Sequence, residues 1–169
     1  MGNSFGRQVL SAVVGNQLSA LATLDDVDWK PGGVTVDWAT VTAVSGSDVT
    51  LKDNTVVKVG QKGLRYGQIL CQITSGGSSG LYGPYDSTAT DGRQTLTRGA
   101  CYIVPQTVLE QGTVAGLPTD ATNHPPGVFE GGLCWLARLI IGANAHELGA
   151  AGPSVAAFEA AFPRIKYAQ

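Results

Sequence analysis

The sequence predicts a mainly β protein: a compact β-barrel or β-sandwich-like body, one short C-terminal helix, and an extended or partly helical N-terminal arm. Three observations predict it. Short runs dense in β-branched residues recur between clusters of Gly, Pro, Asn and Asp. Two of these runs, Gln68–Thr74 and Ala100–Val104, flank a segment rich in Gly, Tyr, Pro and Asp. Helix signals, by contrast, concentrate in one stretch after Gly152-Pro153-Ser154.

The elements follow in chain order. Residues 1–32 form the expected arm, in which Leu10, Val13, Val14, Leu18 and Leu21 fall near helical spacing. Val9–Ala22 follows Arg7 and mimics a secretion signal, but Gly15, Asn16 and Gln17 interrupt it, so it is expected to stay in the mature protein. Pro31-Gly32-Gly33 punctuates the chain and opens a β-rich domain over 33–169. Val34–Trp38 alternates as a strand does, and Thr40–Val44 continues it. Val49–Leu51 and Thr55–Val59 make a hairpin around Lys52-Asp53-Asn54. Gln68–Thr74 is the next strand, and Gly76–Gly80 is a flexible loop by composition. An Asp91-Gly92 turn precedes the strand Ala100–Val104. Residues 105–132 hold many breakers and read as an irregular excursion. Leu133–Ile141 reads as an apolar strand or a buried helix. Ser154 can cap a helix whose apolar face is Val155, Phe158 and Phe162; Pro163 ends it, and Arg164–Tyr167 forms a last strand.

Composition narrows the function classes. Of 169 residues, 43% are apolar and only 14% charged, against a usual charged share of roughly 25%. A neutral, Gly-rich surface fits a protein that buries surface against partners. The net charge is −2 and the basic residues are scattered, so no stripe exists to neutralise phosphates, and no nucleic-acid partner is expected. No apolar run approaches the roughly 20 residues of a membrane span. The three cysteines, Cys71, Cys101 and Cys134, are widely spaced among apolar neighbours and read as small core residues of a reducing compartment.

Chemistry-bearing patterns are sparse. Gly76-x-Ser78-x-Gly80 satisfies the nucleophile-elbow expression, but Leu81-Tyr82-Gly83-Pro84 cannot open the helix that the elbow requires. His124 and His146 lie in irregular stretches without an evident nucleophile. Asp86 and Asp91 bracket turns without the alternating acids of a calcium loop, and read as turn caps. No enzyme activity, metal or cofactor is expected. Trp29, beside the Pro31 joint, is a candidate interface anchor.

One segment is more specific. Ile73 and Thr74, then Gly80, then Tyr82, Gly83, Pro84, Tyr85 and Asp86, then Ala89, Thr90, Asp91, Gly92, Arg93, Gln94 and Thr95 form a long and compositionally unusual run. It resembles the head decoration proteins of tailed bacteriophages, the lambda-type capsid-stabilising family. The closing helix with Ala-Phe-Pro-Arg-Ile-x-Tyr is similar to members of that family too. The resemblance implies a trimer on the outer capsid surface, at three-fold and quasi-three-fold sites, holding the major capsid protein together around packaged DNA. It implies a virion protein assembled in the host cytoplasm. The capsid-contact residues expected from the arm are Val9, Leu10, Val13, Leu18, Leu21 and Trp29, and removal of residues 1–29 is expected to abolish capsid binding while leaving the trimer folded. A rival reading is a virion-surface β-domain that binds carbohydrate or a host receptor through Trp29 and Tyr82 or Tyr85; a second is a hydrolase using Ser78 or a cysteine.

Overall fold

The computed structural model describes residues 19–110, 127–144, 147–149 and 151–168. The expected helical spacing over Leu10–Leu18, the contact residues Val9, Leu10, Val13 and Leu18, and both histidines lie outside the described residues, as does most of the excursion.

Among the described residues, one six-stranded sheet organises the body. Its path runs β1 (Asp28–Trp29), β9 (Phe129–Trp135), β7 (Cys101–Ile103), β5 (Ile69–Gln72) and β6 (Tyr82–Pro84), with β10 (Ile165–Ala168) also paired to β9. The pairs are antiparallel except β9–β10, in which Ile165 to Ala168 run parallel to Gly132 to Trp135. Two ribbons complete the strands: β2 (Val49–Thr50) with β3 (Val56–Val57), and β4 (Gly63–Leu64) with β8 (Val108–Leu109). The mainly β body and its short C-terminal helix stand as the sequence predicts. A closed barrel does not form, because the sheet is open: on the side away from β5, β6 meets Val36 in one parallel bridge.

Residue alternation places a core on each face of this sheet. Ile69, Cys71, Cys101, Ile103 and Phe129 join one cluster with Leu139, Ile141, Phe158 and Phe162. Leu70, Tyr102 and Val104 join the other with Val34, Val36, Val41, Leu64 and Tyr82. Strands buried on both faces have no polar face to show, so Ile69-Leu70-Cys71 is apolar without alternation.

The helix α1 (Val155–Ala161) closes the first core. The Ser154 hydroxyl accepts the Ala157 N–H at 3.3 Å, and Pro163 follows the end. Phe158 and Phe162 are buried with ring centroids 4.8 Å apart. Val155 departs from the expected stripe and is 42% exposed; Ala161 takes the inward place instead, so the buried face centres on Phe158, Ala161 and Phe162.

Three further expectations need correction. The described part of the arm is woven into the body: Ala22 N–H donates to Leu133 O at 2.8 Å, Trp135 N–H donates to Ala20 O at 3.0 Å, and β1 pairs with β9. Val34–Val44 forms no strand. Val34, Val36 and Val41 are buried, but Asp37 caps a 3-10 turn at Trp38–Thr40 by accepting the Ala39 N–H, which ends the pairing after the single bridge from Val36 to Tyr82. The apolar strand expected at Leu133–Ile141 starts and stops earlier, at Phe129 and Trp135. Gly131 lies close under the Asp28 carboxylate, which would have to move to admit a Cβ there. Beyond Trp135 a 3-10 turn at Leu136–Arg138 redirects Leu139–Ile141 into the core.

Phe158→Ala should destabilise the protein by about 3–5 kcal/mol through lost burial and a cavity, whereas Val155→Ala should stay within about 0.5 kcal/mol; urea unfolding of both variants measures the difference.

Candidate functional site

The unusual run begins on an edge of the sheet. In β6, Tyr82, Gly83 and Pro84 face Gln72, Cys71 and Leu70 of β5. Proline is tolerated there because an edge strand can spare the N–H that it lacks. Tyr85 N–H still reaches back to Ile69 O at 2.9 Å. The chain then folds on itself. One Asp86 carboxylate oxygen accepts both the Thr88 N–H at 2.8 Å and the Thr88 hydroxyl at 2.7 Å. Both bonds hold the Asp86 carboxyl below its ordinary range, the hydroxyl first.

Arg93 ties the second turn to the first. Its Nε donates to Asp91 at 2.9 Å, and its Nη1 donates to Pro84 O at 3.2 Å. Burial pushes the Asp91 carboxyl up, but the Arg93 side-chain and backbone donors outweigh it and hold the group below the ordinary range. On the far side, Thr74 N–H donates to Asp91 O at 2.8 Å. Gly92 sits between these anchors at φ +110°, where a Cβ would lie 2.5 Å from the Thr74 hydroxyl. Glycine is therefore demanded twice, by conformation and by space. Gly83 is similarly enclosed by Thr40 and Arg93. Thus Gly83, Pro84, Asp86, Asp91, Gly92 and Arg93 are used to lock a surface corner, as turn caps and stitches.

A cleft of about 370 Å³ adjoins this corner. Thr40, Thr42, Gln68, Tyr85, Asp86 and Arg93 line it, with Ser87 at the rim. Its described lining holds no histidine, cysteine or lysine. The cleft offers hydroxyl, amide and guanidinium groups to a polar surface. Ser78 is elsewhere, in the loop that joins β5 to β6, and a strand rather than a helix follows it. No group of three or more His, Cys, Asp or Glu residues is placed to hold a metal ion among the described residues. No helix among them is long and apolar enough to cross a membrane.

The expected contact residues divide. Leu21 is 6% exposed and bridges to Cys134, so it is a core residue with no surface to give a partner. Trp29 is half-buried and packs edge-on against Phe129, with centroids 6.0 Å apart. The three aromatic residues of the carbohydrate reading divide between the two cores. Tyr82 is buried in one core, tilted against Tyr102, while Trp29 and Tyr85 pack against the other.

The sequence reading missed a buried charge. Arg65 is 1% exposed, with Nε 2.8 Å from a Glu147 carboxylate oxygen and Nη2 donating to the Tyr66 hydroxyl at 3.0 Å. The guanidinium also stacks on the Tyr66 ring, 4.4 Å from its centroid. The cue available was an arginine between apolar residues, Leu64 and Tyr66; nothing in the sequence pointed to Glu147 as its partner.

The chain matches no protein-family model, no curated protein and no solved structure.

Glu147→Ala should cost about 3–5 kcal/mol, because a buried guanidinium would lose its counter-charge; chemical denaturation measures it. Acid should loosen the corner. Asp86 and Asp91 have carboxyls held low in the folded state, so their contribution is complete above the unfolded value near pH 4 and fades as pH falls through the lower folded values. Amide exchange at Thr88 and Arg93 should therefore accelerate below about pH 4 by more than the chemistry of exchange alone accounts for; unchanged protection would refute the assignment.

Proposed function

We propose that this chain is a capsid decoration, or cement, protein. It binds the outside of a tailed-phage head as a homotrimer at three-fold and quasi-three-fold junctions and holds neighbouring copies of the major capsid protein together. The observation that carries the reading is the run Tyr82–Thr95, which resembles the decoration family and builds a surface corner stitched together by Arg93. Its polar side chains serve shape, which suits a mechanical part. A charged share of 14% supports the reading further, as a surface made to be covered.

The mechanism is multivalency. A shell under the pressure of packaged DNA fails where subunits part. A trimer across a junction makes three linked contacts, and the second and third form at high effective concentration. Weak single interfaces then hold almost permanently. Residues 1–18, with Val9, Leu10, Val13 and Leu18, act as the clamp by adding main-chain hydrogen bonds to a capsid sheet edge. The cleft beside Arg93 meets a polar capsid surface.

The clamp is tested by deleting residues 1–18. Deleting 1–29 would strip Leu21 and Trp29 from the core and confound binding with folding. Full-length protein should sediment with expanded heads that lack it, saturating at three copies per three-fold site. The 1–18 deletion should remain folded by circular dichroism and lose at least about tenfold in affinity, or 1.4 kcal/mol. Equal binding by the truncated chain would refute the clamp. Absence of binding by the full-length chain would refute the decoration role, and a few copies per particle would favour receptor or carbohydrate binding.

A further inference from the structure

Two of the three cysteines, far apart in the sequence, stand directly opposite each other in the sheet. Cys71 of β5 pairs with Cys101 of β7, and their sulfurs are 3.2 Å apart. The pair type follows from the ladder. Gln72 N–H donates to Ala100 O and Val104 N–H donates to Gln68 O, so residues 68 and 72 hold the hydrogen-bonded positions. Cys71 and Cys101 therefore occupy a non-hydrogen-bonded site, where facing Cα atoms lie roughly 4.5 Å apart and side chains are closest. That spacing falls within the range a disulfide spans, at its short end. Both are free thiols, and both are buried in the core that α1 covers.

We propose that Cys71 and Cys101 are an oxidation site, which a small disulfide oxidant converts to an internal disulfide stapling β5 to β7. The loop it closes spans 30 positions and contains the whole Tyr82–Thr95 corner. Cys101 is the attacking sulfur, because the Thr97 N–H, 3.3 Å away, would hold its thiolate and the turn beside it is exposed. The Cys71 hydrogen bond lowers the Cys101 thiol; burial opposes that, and the Thr97 N–H assists it. The same hydrogen bond, with burial, raises Cys71, which keeps its proton. The lid over Cys101 is the Thr95–Gly99 turn, in which Thr95, Thr97, Arg98 and Gly99 are exposed. Opening that turn alone breaks the Thr97 contact and uncovers the sulfur.

The steps balance. The Cys101 thiolate attacks one sulfur of the oxidant R–S–S–R, forming the mixed disulfide Cys101 Sγ–S–R as the oxidant's S–S bond breaks, and releasing a thiolate that takes a proton as RSH. The Cys71 sulfur, giving up its proton, then attacks Cys101 Sγ and releases the second RSH. Two protein thiols are oxidised and one oxidant disulfide is reduced to two thiols. Cys134 takes no part: its neighbours across the strands are Leu21 and Tyr167, and burial pushes its thiol up to about 12.

The test is oxidised glutathione added to the folded full-length chain, followed by mass spectrometry and peptide mapping. The expected product has lost two hydrogens, links the Cys71 peptide to the Cys101 peptide, and melts roughly 5–10 °C higher until a dithiol reverses it. Cys134→Ala should behave the same. Cys71→Ala should stop at a glutathione adduct on Cys101. The wild-type map decides alone should that variant misfold. A folded wild-type chain that yields no Cys71–Cys101 link, or links only through Cys134, overturns the proposal.

Discussion

On β5, Ile69 and Cys71 belong to the core that α1 covers, while Leu70 belongs to the other; on β7, Cys101 and Ile103 divide from Tyr102 in the same way. These strands are only four and three residues long, yet each must satisfy two cores at once. The rest of the chain supplies the two covers. Phe158, Phe162, Leu139 and Ile141 close one face; Val34, Val36, Val41 and Leu64 close the other. Short ladders contribute few hydrogen bonds, so burial on both faces is what holds the sheet together. Among the described residues, irregular segments carry a large part of both cores.

The same constraint explains the corner. Chain leaving β6 must return to β7 across an open edge, and that path is exposed. Entropy favours a loose excursion there. Arg93 prevents it by joining Asp91 to Pro84 O, and Asp86 with Thr88 fixes the first bend. The corner is thus anchored to the double-sided sheet, which lets a surface feature keep one shape when a partner bears on it. Shape retained under load is what a decoration protein would need, and the Cys71–Cys101 staple would close the base of the same unit.

Legibility in the sequence followed the range of the cause. The strands at Gln68–Thr74 and Ala100–Val104, the hairpin around Asn54 and the Ser154-capped helix rest on local patterns, and each was readable. Asn54 at φ +62° is the left-handed turn residue that the hairpin needs. Val34–Val44 misled because alternation reports burial and does not by itself report a ladder; Asp37 capping decided the backbone. Ala20–Trp29 lacked strand signals and so read as arm, although β9 captures it through long-range pairing. Glu147 opposite Arg65 and Cys71 opposite Cys101 depend on register between distant strands and loops, which no local spacing encodes. The locking roles of Asp86 and Asp91 were legible as turn caps; Arg93 as their stitch was visible only in three dimensions.

The role we propose is mechanical, the bridging of shell subunits. Cryo-electron imaging of intact phage particles carrying the chain tests it most directly. The account predicts three-lobed knobs over the three-fold and quasi-three-fold junctions, with the Arg93 corner and residues 1–18 against the capsid. Density for the chain only at the tail, or bare junctions on particles whose lysate holds the chain free, would contradict it.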